Sequence, residues 1–168
     1  MPRRSAGLLL YRRAAEDGVE VLLVHPGGPI WARRREGAWS VPKGELEPDE
    51  DPLPAAEREF AEELGALPPR GPRLELGEVT QASRKVVLAW AVEGDLDTDA
   101  VRSNPVVMEW PPRSGRTITF PEVDEARWFA LGEARRFINP AQAALLDRLV
   151  DRLAGDRWIS RPGPRGGR

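Results

Sequence analysis

Apolar residues in this chain come in short runs broken by glycine, proline and charge. Residues 5–12 read as a strand, and residues 19–25 as a second, mostly buried one, because every position from Val21 to Val24 is apolar. Residues 14–18 between them form a hairpin loop. Pro26, Gly27, Gly28 and Pro29 then punctuate a loop running to Gly37, and residues 39–42 make a short strand at best. A second strand pair is expected at 73–81 and 84–93, and a last strand at 125–130. The stretch 95–116 shows no usable period and is expected to be irregular.

Two helices close the pattern. One is short, around residues 131–138. The other opens at Asn139 with Pro140 in its first turn and carries Leu145, Leu146, Leu149, Val150 and Leu153 on one stripe. After Gly155 the composition turns to Gly, Pro and Arg, so residues 155–168 are expected to be a disordered tail on a single domain spanning 1–154. Strands and helices mix without regular alternation, which points to the α+β class.

One more helix stands in the middle of the chain. Asp51 can cap it, Pro52 and Pro54 suit its first turn, and Gly65 can end it. Leu53, Ala56, Phe60 and Leu64 recur at helical spacing as its apolar stripe. Glu59, Glu62 and Glu63 lie three and four apart, so three carboxylates share a face. Like charges at that spacing repel by a few tenths of a kcal/mol, about 0.2–0.5 per pair. A solvated helix more often alternates acids with lysine. A cluster that keeps its repulsion suits hard divalent cations, which carboxylates hold together with water and phosphate oxygens. Spacing alone leaves a cation site and a solvated acidic face evenly matched.

Composition narrows the classes. The chain has 168 residues, enough for one real core, and a formal charge of −2 with both signs interspersed, which gives no reason to expect nucleic acid or a membrane as partner. It has no cysteine, which excludes disulfides and thiolate chemistry. Its first apolar run, residues 7–11, is too short for a membrane span or a signal segment, and a cytoplasmic protein is the expectation.

The residues around the acidic helix tip the balance. Gly44, five residues, Glu50, seven residues, then Arg58-Glu59-Phe60-Ala61-Glu62-Glu63-Leu64-Gly65-Ala66 resembles the signature of the Nudix hydrolases. Every fixed position of that signature is filled. Phe60 and Ala66 depart from its bulky aliphatic positions, which concern packing. The resemblance implies an α/β/α sandwich around a mixed β-sheet, and hydrolysis of a nucleoside diphosphate linked to another group, with Mg²⁺ (or Mn²⁺) as cofactor. It implies Glu59, Glu62 and Glu63 as metal ligands, backbone from Gly44 at the metal, and an orienting ion pair between Glu50 and Arg58.

A further glutamate outside the motif supplies a base or ligand in many members of that family. Glu109, Glu122 and Glu125 are the candidates, and Glu122 is preferred because it lies in a loop six residues before Trp128, as in hydrolases of dinucleoside polyphosphates; Glu63 is the alternative base. Lys43 and Lys85 are the only lysines and are candidate phosphate contacts, as is Arg34 in the basic run Arg33-Arg34-Arg35. His25, the single histidine, is expected to be structural. Trp31 and Trp110, in loops, are the better candidates for stacking a base.

The resulting expectation is a metal-dependent pyrophosphohydrolase acting on a small nucleotide, a dinucleoside polyphosphate or an NTP. A homodimer is compatible with it. The competing reading is a catalytically silent nucleotide-sensing or protein-binding module on the same fold.

Overall fold

A computed structural model describes residues 3–16 and 18–159. A hairpin comes first: β1 (Arg4–Arg13) pairs antiparallel with β2 (Val19–Pro26). The pairing covers only the far end of β1, Tyr11 to Arg13 against Val21 to Val19. Toward the other end the two strands splay, and the chain from Trp39 to Glu45 wedges into the gap. On one side Ser40 exchanges backbone hydrogen bonds with Val24, 2.9 Å each. On the other, Leu8 N–H donates to Pro42 O at 3.0 Å, and β3 (Lys43–Glu45) pairs antiparallel with Ser5–Gly7 of β1. The expected strand at 39–42 is therefore a pair of isolated bridges, and the ladder falls on the polar residues just after it. This wedge places Lys43 and Gly44 beneath the acidic helix.

That helix, α1, spans Pro52–Leu64 and ends at Gly65, whose φ of 70° supplies the left-handed cap. Asp51 stands at the cap position but makes no side-chain capping bond. β4 (Leu74–Thr80) and β5 (Val86–Glu93) form the second antiparallel pair, and β5 runs parallel to β1 along its length. β8 (Val123–Ala130) pairs with β2, giving a six-stranded mixed sheet in the order β4-β5-β1-β2-β8 with β3 against β1. α2 (Leu131–Phe137) follows, then a 3₁₀ turn at Pro140–Gln142 capped by Asn139, then α3 (Ala143–Ile159).

Alternation along β1 divides the core into two layers, because successive side chains point to opposite faces. Ala6, Leu8 and Leu10 pack under α1 with Phe60 and Leu64, while Leu9 and Tyr11 join Trp39, Phe129, Leu145, Leu146, Leu149 and Leu153 under α2 and α3. The α/β/α sandwich and the α+β class are as the sequence implies.

Three expectations change. Val150 is 39% exposed, so the α3 stripe is narrower than its pattern suggested. α3 passes Gly155 and continues to Ile159; the remainder of the expected tail, 160–168, lies outside the described residues. The stretch 95–116 is not all irregular: Pro105–Glu109 (β6) pairs with Thr117–Pro121 (β7) as a separate two-stranded sheet.

Candidate active site

Gly44 and Glu59 define the centre of the site. A Cβ on Gly44 would stand 1.9 Å from Glu59 Cδ and 2.0 Å from one carboxylate oxygen. Only glycine lets β3 come this close to the carboxylate. Glu59 is thus turned inward against the sheet, and so is Glu63; both are buried, although each belongs to the charged face that the sequence placed beside the apolar stripe. Glu63 Oε2 accepts from the Lys43 backbone N–H at 3.2 Å. Glu62 stays exposed.

Arg58 ties these acids to the loop before the helix. Its guanidinium donates to both oxygens of Glu50 at 3.1 Å, to Glu59 at 3.0 Å and to Glu62 at 3.1 Å. The expected Glu50–Arg58 pair is present, and Arg58 also bridges two expected ligands. Burial works against its charge, but the hydrogen bonds and fields of Glu62, Glu50 and Glu59 outweigh that and hold its pKa above the ordinary value.

Glu122 lies between β7 and β8 and is fixed by its backbone. Its N–H donates to Asn104 O at 2.9 Å, its carbonyl accepts from Gly27 at 2.9 Å, and Asn104 N–H donates to Glu62 O at 3.1 Å. One residue, Asn104, therefore links the motif helix to the loop acid; no sequence signal pointed to it. Glu122 lines a cleft of about 140 Å³ together with Lys43, Glu63, Ser40 and Val24. The two acids repel across it. Burial first, then Glu122, pushes the Glu63 carboxyl well above the usual carboxylate range, with Lys43 pulling the other way. Glu59 is raised by burial, opposed by Arg58, with Glu62 and Glu122 adding to the rise. Lys43 is lowered by burial and by Lys85, against the pull of Glu63 and Glu122. Crowded carboxylates that are costly to ionise together are what a cation would relieve.

The donor set fits a hard divalent cation in chemistry: buried carboxylates, a glycine cradle and no thiolate or imidazole. The described residues contain no group of three acids already converged on one point. Arg58 Nη1 instead donates to both Glu59 and Glu62.

Other expected residues are placed as follows. Lys85 pairs with Glu45 at 3.3 Å, close enough to Lys43 for their charges to interact. Arg34 lies over the Trp31 ring at 5.6 Å, and its backbone oxygen accepts from His25 Nε2 at 2.6 Å. His25 is buried, with Nδ1 2.8 Å from Asp124 Oδ1, which makes it a peg between the loop and β8. Arg35 pairs with Glu125 at 2.8 Å. Glu109 accepts from Arg113 N–H within the β6–β7 turn. Gln142, also unforeseen, is fully buried and holds the wedge: its Oε1 accepts from Val41 N–H at 3.0 Å and its Nε2 donates to Ser40 Oγ at 3.0 Å.

Comparison with known proteins agrees with this architecture. The NUDIX domain family model matches residues 1–149, and the chain belongs to that family. It is 38% identical over 101 residues to an 8-oxo-(d)GTP phosphatase of Mycolicibacterium smegmatis, a match covering 54% of this chain and 29% of that protein. It is 39% identical over 67 residues to an RNA pyrophosphohydrolase of Rhodospirillum rubrum, covering 38% of each. The match thus spans about a third of the length of these curated relatives. Among solved structures, a C. elegans Ap4A hydrolase binary complex superposes with TM-score 0.63 at 23% identity, covering 90% of this chain and 98% of that one. The NUDIX domain of Shewanella oneidensis NrtR complexed with ADP ribose superposes with TM-score 0.62 at 18% identity, covering 91% and 89%. Both show a shared fold.

Proposed function

We propose that this protein is a metal-dependent hydrolase that cleaves a pyrophosphate linkage in a nucleoside diphosphate joined to a further group, with a dinucleoside polyphosphate or an NTP as substrate. The observation that carries the reading is the Gly44–Glu59 cradle opening beside a cleft shared by Glu63, Lys43 and Glu122. Carboxylates alone would repel a pyrophosphate, so the arrangement makes chemical sense with cations between protein and substrate. Glu59, Glu62 and Glu63, with Gly44 backbone, would hold Mg²⁺ or Mn²⁺. When bound, the metal supplies neutralisation of phosphate charge and a lower pKa for water.

The chain's own groups supply the rest. Arg58 holds Glu59 and Glu62 in place against Glu50. The Lys43 ammonium is a point charge for a phosphate oxygen. Glu122, its backbone anchored on both sides, accepts the proton as water attacks phosphorus; the new P–O bond forms while the bridging P–O bond breaks, and the other half leaves as a phosphate. Similarity to an 8-oxo-(d)GTP phosphatase and an RNA pyrophosphohydrolase supports a phosphoanhydride as the target.

A panel of NTPs, dinucleoside polyphosphates, nucleotide sugars and capped RNA, incubated with Mg²⁺ and with products identified, tests the reading. Cleavage of dinucleoside polyphosphates or NTPs at a phosphoanhydride is expected. Inertness across the panel would leave the silent sensing module in its place.

A further inference from the structure

Beside the catalytic cleft lies a second one of about 210 Å³, and Pro26 and Glu122 line both. The loop after β2 forms one wall, with Ile30 and Trp31. The β6–β7 hairpin forms the other, through the one face of its ladder that carries Val106, Met108 and Phe120. These four strand and loop side chains with Trp31 are half-buried or exposed, while their neighbours along the hairpin point away to solvent. The two walls are fixed to each other. Gly27 N–H donates to Glu122 O, and the Phe120 ring packs so closely on Gly28 that a Cβ there would meet it at 2.6 Å. The polar side-chain atoms among the lining residues are the Trp31 indole N–H and, at the end shared with the catalytic cleft, the Glu122 carboxylate.

We infer that this slot is the subsite for the nucleobase of the substrate, and that it takes the base by stacking and apolar contact with little reading of its hydrogen-bonding edge. The inference rests on the proposed hydrolase reading for the identity of the ligand, and on continuity through Pro26 and Glu122 for its position. A planar ring fits between an indole and a thioether or phenyl wall, and every base offers a π face. The Arg34 guanidinium lies 5.6 Å from the Trp31 ring centroid and is not among the residues that line the slot, so it does not fill it. A wall of this kind cannot strongly reject a ring that differs only in its exocyclic groups. Adenine and guanine nucleotides should therefore bind alike, with pyrimidines weaker for their smaller stacking area.

Calorimetric titration in Mg²⁺ separates the base from the phosphates. The ligands are the α,β-methylene analogues of ADP, GDP and UDP, with methylenediphosphonate as the base-free reference. The ADP and GDP analogues are expected to bind within about threefold of each other, and each about tenfold tighter than methylenediphosphonate. Trp31→Ala and Met108→Ala should each erase most of that gain without changing methylenediphosphonate affinity, while Trp31→Phe, which keeps a ring, should retain it. A gain that survives in both alanine variants, with melting temperatures intact, overturns the slot. So does strong discrimination between the ADP and GDP analogues. Nucleotide binding that depends on Trp31 without any diphosphonate binding would keep the slot and remove the phosphohydrolase reading; no binding by any ligand would remove both.

Discussion

Gly44→Ala tests the geometry of the site with a single methyl group. The new Cβ would stand 1.9 Å from Glu59 Cδ, so the carboxylate has to retreat by about 1.5 Å to reach ordinary contact. Glu59 is only 8% exposed and is held by Arg58, so that retreat meets packed neighbours. Inserting a methyl into a packed site costs about 1–3 kcal/mol, and each kcal/mol lowers the melting temperature of a domain this size by roughly 2–4 °C. The catalytic effect should be larger than the stability effect. Displacing a ligand by about 1 Å can cost on the order of 10²-fold in rate, so kcat should fall by about that factor or more. Gly132→Ala is the control: a Cβ there meets nothing within 4 Å, and alanine favours its helix by up to about 1 kcal/mol. Thermal melts and product release at saturating substrate give the readout. Gly44→Ala with kcat within about threefold of wild type and an unchanged melt would refute the cradle.

Glu122→Gln should lower kcat by about 10²–10⁴-fold with little change in KM, while Glu109→Gln and Glu125→Gln remain near wild type, since those acids are engaged with Arg113 and Arg35. A collapse in either control with Glu122→Gln active would move the base. In the metal-free protein the folded Glu63 carboxyl lies well above its unfolded value. The folded state therefore holds that proton more tightly, and stability is lost as pH rises from the ordinary carboxylate range through the raised value. Melts in chelator across about pH 5 to 8 should show this loss in wild type and a flatter profile in Glu63→Gln; identical profiles would contradict it. Mg²⁺ or Mn²⁺ should stabilise the fold by about 2.7 kcal/mol at a hundredfold excess over Kd, with the melting temperature climbing with the logarithm of ion concentration, and Glu59→Gln should shrink that rise.

How legible all this was in the sequence depended on what fixed each element. β1, β2, β5 and β8 announce themselves because burial demands apolar runs, and α1 because its stripe and its glycine stop follow helical rules. β3 was not legible: Lys43, Gly44 and Glu45 carry no strand pattern, and the splayed edge of β1 imposes their conformation. The β6–β7 hairpin hid for a different reason. Its ladder alternates half-buried with exposed positions over five residues a side, bracketed by prolines. The alternation Thr117-Ile118-Thr119-Phe120 was a period-two signal and could have been read. The acidic cluster and Glu50–Arg58 could be foreseen from fixed spacing. Asn104 and Gln142 could not, since they act through backbone groups of residues 62, 122 and 41, contacts that only the tertiary fold creates.

The proposed hydrolase needs a divalent cation on the acids of α1. Hydrolysis of a dinucleoside polyphosphate or NTP by the wild-type chain, followed in one preparation with Mg²⁺, with Mn²⁺ and with metal fully chelated, tests it most directly. Turnover with either ion, none under chelation, and recovery when the ion is returned are expected. Undiminished turnover under full chelation would contradict it.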